Sequence, residues 1–320
     1  MVQIVGIVLA SLLGIVIVMV LSLMVNHNVK LRSEAEKYPA PGMLVTVNDK
    51  TMHVYTEGDG EQTLVFMAGH GTSNPTLDFK PLWSRLTDDY TIAVVEKSGY
   101  GWSDASKSSR DIDVLLEETR MALDEAGLEA PYVLVPHSMS GLEAIRWAQL
   151  HPDEVSAIIG LDPAVPAAYD LLEIPPNMQL NMVYLISRLG LSRWMPDEEL
   201  NTTLPLMASQ DLSEEEKDQY RAIFYRSSLT RDMLNELKEV NANAKKVAED
   251  GIPSDIPMYF FISEDQDVLI EGWKDTLMDY LSDAETNNHR ALDTGHYVHH
   301  EKGREIADEI RIFMDGLEQE

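Results

Sequence analysis

The chain of 320 residues carries 25 Lys and Arg against 54 Asp and Glu, a formal net charge of -29, and 44% of its residues are hydrophobic. That hydrophobic share is too high for a disordered chain, and a polyanionic, solvated surface repels phosphate backbones, which excludes nucleic acid as a partner. The absence of cysteine excludes a disulfide framework, a thiolate zinc site and a cysteine nucleophile.

The first element is an apolar run over residues 4–25 without a single charge, and about 20 such residues cross a bilayer as a helix. A cleaved signal peptide has a shorter apolar region, a charged leader and a small-residue cleavage site, so the run reads as a single-pass anchor in the cell membrane. Residues 26–41 read as a polar stalk. Its Lys30, Arg32 and Lys37 hint at a cytoplasmic domain by the positive-inside rule, which large domains often ignore. Segments 43–47 and 52–56, joined through Asn48 and Asp49, form an opening hairpin. Short runs rich in Val, Ile, Leu and aromatics follow at 63–68, 92–96, 132–135, 157–161 and 258–262, each suited to a strand buried on both faces.

Helical patterns fall between these runs. Ile112, Leu115, Leu116, Thr119, Ala122, Leu123 and Ala126 share one helical face before Gly127, and Ile306, Ile310, Phe313 and Leu317 share another. Alternating strands and helices predict a mostly parallel sheet of an α/β protein. Residues 163–255 lack a strand pattern and read as an inserted helical cap, in which Met178, Leu180, Met182, Leu185, Leu204 and Met207 are candidates to line an apolar acyl pocket. The expected organisation is an anchor (1–25), a stalk (26–41), a core (42–162 and 256–320) and the cap (163–255).

The chemistry concentrates at Pro136-His137-Ser138-Met139-Ser140-Gly141, which follows the strand at 132–135 and precedes a helix with Leu142, Ile145 and Ala148 on one face. A serine on a tight strand-to-helix turn presents its hydroxyl at the carboxyl end of the sheet, beside a helix N-terminus. The pattern departs from G-x-S-x-G, since Pro136 and Ser140 stand where both glycines would be. A general base is expected at His296, in the segment Ala291-Leu292-Asp293-Thr294-Gly295-His296, which reads as a short strand and loop ahead of the last helix. His299 and His300 are expected at the start of that helix, facing solvent. Glu96, Lys97 and Arg146 are read as structural or surface charges without a role in catalysis. No metal or organic cofactor is implied by any ligand spacing or phosphate-cradling loop.

With these motifs in this order, residues 43–317 resemble the α/β-hydrolase superfamily. Phe66-Met67-Ala68-Gly69-His70-Gly71 is similar to that family's loop after the third strand, and Val95-Glu96-Lys97-Ser98-Gly99-Tyr100-Gly101-Trp102-Ser103 to its loop after the fourth. The resemblance implies an α/β-hydrolase fold, with an eight-stranded, mostly parallel sheet flanked by helices and carrying the cap. It also implies an oxyanion hole from the backbone N–H groups of Met139 and His70. The triad acid has two places. Gly160-Leu161-Asp162-Pro163 resembles the acid-bearing segment of pancreatic-type lipases and favours Asp162; the usual position, after the strand at 258–262, offers Asp265 or Asp267 instead. The implied activity is that of a serine esterase or lipase acting on an apolar acyl ester. Alternatives are an aminopeptidase acting on short peptides, or a catalytically weak ligand-binding or signalling homologue.

Overall fold

The computed structural model describes residues 2–282 and 287–317. Residue 1 of the expected anchor and residues 283–286 and 318–320 of the expected core lie outside them. Eight strands form one sheet in the order β1-β2-β4-β3-β5-β6-β7-β8. They are β1 (Met43–Val47), β2 (Lys50–Glu57), β3 (Thr63–Met67), β4 (Thr91–Glu96), β5 (Tyr132–Pro136), β6 (Val155–Leu161), β7 (Met258–Ser263) and β8 (Asn288–Leu292). β1 pairs antiparallel to β2 and β2 to β4, and every other pairing is parallel. Asn48 and Asp49 turn the opening hairpin with φ of 47° and 65°, the left-handed conformations a two-residue hairpin turn requires.

The helices are α1 (Val2–Lys37), α2 (Pro75–Asp78), α3 (Lys80–Trp83), α4 (Ile112–Glu125), α5 (Ser140–Leu150), α6 (Asn177–Arg188), α7 (Asp197–Thr203), α8 (Glu214–Ser227), α9 (Arg231–Glu249), α10 (Glu264–Leu269), α11 (Trp273–Leu281) and α12 (Val298–Leu317). Two cores sandwich the sheet. One joins it to α4, α5, α9 and α11 through Leu116, Ile145, Val240 and Leu277. The other joins it to α3 and α12 through Leu82, Ile306 and Ile310. A third, in the cap, gathers Leu200, Leu204, Leu206, Met207, Tyr220 and Phe224. The chain order reverses on either side of β3, whose neighbours are β4 and β5, and a crevice at the carboxyl ends of such strands is where open α/β sheets bind ligands.

Two expectations change. Residues 26–37 of the stalk are not a separate segment but continue α1 as helix, because Lys, Glu, Leu and Ala there favour helix and no breaker occurs before Pro39. The stalk is also docked, on the cap and on the loop after β4. Arg193 donates to Glu34 through both terminal nitrogens at 2.6 Å, and Trp102 Nε1 donates to the Tyr38 carbonyl at 3.0 Å. A chain starting at Asn26 is therefore expected to keep the domain's stability, whereas one starting at Pro41 strands the Arg193 guanidinium. The loss should be about 1–3 kcal/mol, a drop of several degrees in Tm read by calorimetry on the two truncated proteins.

The second change concerns the proposed acyl lining. Leu204 and Met207 are committed to the cap core and Leu180 is buried, while Met178, Met182 and Leu185 face outward. Helical periodicity identifies an apolar stripe but not the side of the cap on which it lies.

Candidate active site

Ser138 follows β5 and precedes α5, and its φ is +53°. A left-handed conformation at a residue with a Cβ costs about 1–3 kcal/mol and persists only where the surroundings enforce it. They do so here through main-chain bonds. His137 N donates to the Met67 carbonyl at 3.0 Å, and Ala164 N donates to the Ser138 carbonyl at 2.8 Å. Gly69 lies so close that a Cβ on it would come within 2.7 Å of the Ser138 Cβ. Ser140, where the motif departs from glycine, is fully buried; its hydroxyl donates to the Met67 carbonyl at 2.6 Å and accepts the His137 N–H at 3.0 Å. The serine thus stitches the turn to β3 where a glycine would only have left room.

Asp162 follows β6, also left-handed at φ +48° and fully buried. Its Oδ1 accepts the Ser263 N–H at 3.0 Å and Trp273 Nε1 at 2.9 Å, and its Oδ2 lies 2.6 Å from His296 Nδ1. The bond to Nδ1 leaves Nε2 of His296 for proton transfer. The competing acids do not reach the ring by any hydrogen bond among the described residues. Asp265 is exposed on α10, and Asp267 accepts the Lys274 N–H at 3.0 Å. Among the described residues no hydrogen bond joins Ser138 Oγ to His296, and such contacts commonly tighten only when substrate is bound. Nor is the N–H of Met139 or of His70 taken by a protein acceptor among them. Both stand at the carboxyl end of the sheet, Met139 as the N-cap residue of α5.

His299 and His300, expected in solvent, are instead turned inward. His299 is fully buried, and the two imidazoles meet the buried Asp78 carboxylate at 3.1 and 3.2 Å, where Tyr220 OH also donates at 3.1 Å. A buried carboxylate on α2 needs several donors, and α12 supplies two of them. The His137 ring packs 4.7 Å from His296 and 5.0 Å from His299, and its Nε2 lies 3.2 Å from the His296 carbonyl. Burial pushes His299 down to about 4, His137 well below its ordinary value and His70 down to about 4.

A histidine held neutral in the fold but free to protonate when unfolded contributes stability that is complete above pH 6.5 and is lost as pH falls toward 4. His299 alone accounts for about 3 kcal/mol of this, and His70, which keeps an edge in water, for less. Chemical denaturation at pH 7, 5.5 and 4.5 is expected to show stability falling at each step. A flat profile would show that these rings are solvated.

Charged groups lie buried beneath the turn. Lys97, expected at the surface or as scaffolding, is buried and donates at 2.6 Å to both Glu143 on α5 and Glu236 on α9. Tyr100 OH donates to Glu236 at 2.9 Å. Burial pushes the Glu143 carboxyl up, whereas for Glu236 the effect of burial is outweighed by Lys97 and Arg110, which hold it down at about 2. Glu96 is fully buried and accepts Thr76 Oγ1 at 3.0 Å and the Trp102 N–H at 2.7 Å, bracing the loop after β4. Arg146 links α5 to Asp113 at 2.7 Å and to Asp250. An open groove of about 660 Å³ between Tyr169, Ala244 and Tyr280 includes none of Ser138, Asp162 or His296.

The sheet order, the left-handed serine turn between β5 and α5, and the histidine ahead of the last helix define an α/β hydrolase. The family model described as serine aminopeptidase S33 matches residues 61–303, and the chain belongs to that family. It is 35% identical over 258 residues to the uncharacterized protein YbdG of Bacillus subtilis, covering 80% of this chain and 79% of that one. Among solved structures it is similar to an epoxide hydrolase of Vigna radiata, with a TM-score of 0.65 at 20% identity over 86% of this chain and 97% of that one. A structure from work on carboxylesterases of the thaumarchaeon Nitrososphaera gargenis gives 0.64 at 17% identity, over 87% and 99%. These two likenesses are of fold.

Proposed function

We propose that the protein is a serine esterase, held at the cell membrane by α1 as a single-pass anchor, that cleaves an apolar carboxylic ester through an acyl-enzyme on Ser138. The observation that carries this reading is the left-handed Ser138, bonded through its carbonyl to the segment that carries Asp162, whose carboxylate lies 2.6 Å from His296 Nδ1. In this mechanism His296 Nε2 takes the Ser138 proton as Oγ attacks the ester carbonyl. The N–H groups of Met139 and His70 hold the oxyanion, and the alcohol leaves with the proton from His296. Water, deprotonated by the same nitrogen, then releases the acid and frees Oγ. Asp162 keeps the ring in the tautomer with the proton on Nδ1 and stabilises the imidazolium. The helix α1 is long and apolar enough to cross a membrane.

The family description favours a second reading, release of N-terminal residues from short peptides. Its weakness lies in the amine pocket it needs, because the carboxylates beneath the turn, Glu143 and Glu236, are both taken by Lys97. A fluorophosphonate probe should label the wild type on Ser138, as read by peptide mass spectrometry, and a panel of acyl esters and aminoacyl anilides should show turnover of the esters. Labelling elsewhere would remove Ser138 from the mechanism. Turnover of the anilides alone would replace esterase by aminopeptidase.

A further inference from the structure

We propose that the cap rests on the lipid bilayer through the outward face of α6 and the turn that follows it, making a second membrane contact beside the anchor. The inference rests on the reading of α1 as a bilayer span and goes beyond it.

Three observations carry it. The first is an exposed apolar stripe. Met178, Met182, Leu185 and Ile186 recur at helical spacing on α6, with Met178 82% exposed, and the turn at 191–194 adds Leu191 and Trp194, the latter 71% exposed. Contiguous exposed apolar groups mark an interaction surface. The second is where the cap is fastened. The apolar run of α1 ends at Val25, and His27, two residues and about 3 Å further along the helix, is buried against the cap. Its ring lies so close to Gly190 that a Cβ there would come within 2.6 Å of it, and Arg193 Nε donates to His27 Nδ1 at 2.9 Å. The same guanidinium holds Glu34 and lies 4.3 Å over the Tyr225 ring. Leu191 and Trp194 flank these contacts in sequence, so they are fixed within about one helical turn of the end of the span, at the depth where tryptophan is enriched in membrane proteins.

The third observation is charge. In a chain with 54 acidic residues, none occurs between Glu173 and Asp197, while Arg188 and Arg193 do. Acidic groups are missing from the one stretch of the cap that would meet headgroups, where carboxylates resist burial. Lys30 and Arg32, exposed on α1 just past His27, are placed to meet lipid phosphates from the side. Because α1 is unbroken from Val2 to Lys37, the span and the docked cap share one helix axis, and no hinge separates them.

The test uses the full chain reconstituted in phosphatidylcholine vesicles, with or without bromine near the top of the acyl chains. Of the five tryptophans, Trp83, Trp102, Trp147 and Trp273 are buried, so bromine quenching reports on Trp194. The protein is expected to float with the vesicles, and brominated lipid should quench a component of its fluorescence that Trp194→Phe removes. The double substitution Met182→Glu and Leu185→Glu, at exposed positions outside the catalytic machinery, should cut that quenching about twofold or more. Flotation without quenching of Trp194 would overturn the cap contact and leave the anchor standing. Quenching unchanged by the two glutamates would overturn the part assigned to α6. Failure to float would overturn the anchor and the cap contact together.

Discussion

Replacing Ser138 by alanine is expected to lower kcat for a short-chain ester by about 10⁶-fold, the scale found when a triad serine is removed. The proposed nucleophile is one oxygen atom, and nothing else on this turn can take its place. Ser140 is two residues on, but its hydroxyl is fully buried and shared between the Met67 carbonyl and the His137 N–H. Ser140→Ala is the informative companion. It removes the hydroxyl's bond to the Met67 carbonyl, while the His137 N–H keeps that carbonyl as its acceptor, at a cost of about 1 kcal/mol of stability, and should lower Tm while keeping most of the turnover in the remaining folded protein. Steady-state hydrolysis beside calorimetry separates the two. Unchanged kcat in Ser138→Ala would remove the assignment.

Asp162→Asn is expected to lower kcat by about 10⁴-fold with the fold retained, on the scale known for amidation of a triad aspartate. The geometry gives the reason. Oδ1 keeps the Ser263 N–H and Trp273 Nε1, so an asparagine settles with its amide nitrogen toward His296 Nδ1. That nitrogen donates, Nδ1 becomes an acceptor, and the ring proton moves to Nε2, where the ring can no longer take the serine proton. Asparagine also tolerates the left-handed backbone at φ +48°, which argues against a folding explanation. Asp265→Asn, at an exposed site, should be silent, and Asp267→Asn should touch only the contact with Lys274. A collapse of turnover in either of those, with Asp162→Asn near wild type, would move the acid to α10, after β7.

How far the sequence was readable follows from what each residue interacts with. The strands at 43–47, 132–135 and 258–262 were legible because β1, β5 and β7 draw their identity from local runs of branched and aromatic residues. β8 was less so: as an edge strand with the sequence Asn-His-Arg-Ala-Leu it buries little and carries no apolar run. The turn at Ser138 and the histidine at 296 announce themselves by their flanking elements. His299 and His300 misled, since their inward orientation depends on Asp78, 221 and 222 positions away. The docking of α1 was hidden for the same reason, because Glu34 finds Arg193 at a separation of 159. Lys97 in turn depends on Glu236, 139 positions away in the cap segment. Local pattern reveals elements; a buried charge reveals its partner only once the chain is folded.

The way the three proposed catalytic groups are fastened has a consequence for how activity can be tuned. Ser138 and Asp162 are joined through main chain, by Ala164 N to the Ser138 carbonyl, with Gly141 packed so closely on Ala164 that a Cβ there would meet its carbonyl at 2.4 Å. His296 is held differently, through the side chains of Asp162 and His137 and through Ser263 Oγ, which donates to the Thr294 carbonyl at 2.7 Å. A bond between main chains survives almost any substitution, while one made by a side chain is lost with a single codon. The proposed nucleophile and acid therefore form a pair fixed through main chain, and the histidine is the adjustable member. At positions 137 and 263 a single substitution is expected to re-aim the proposed base without moving the serine.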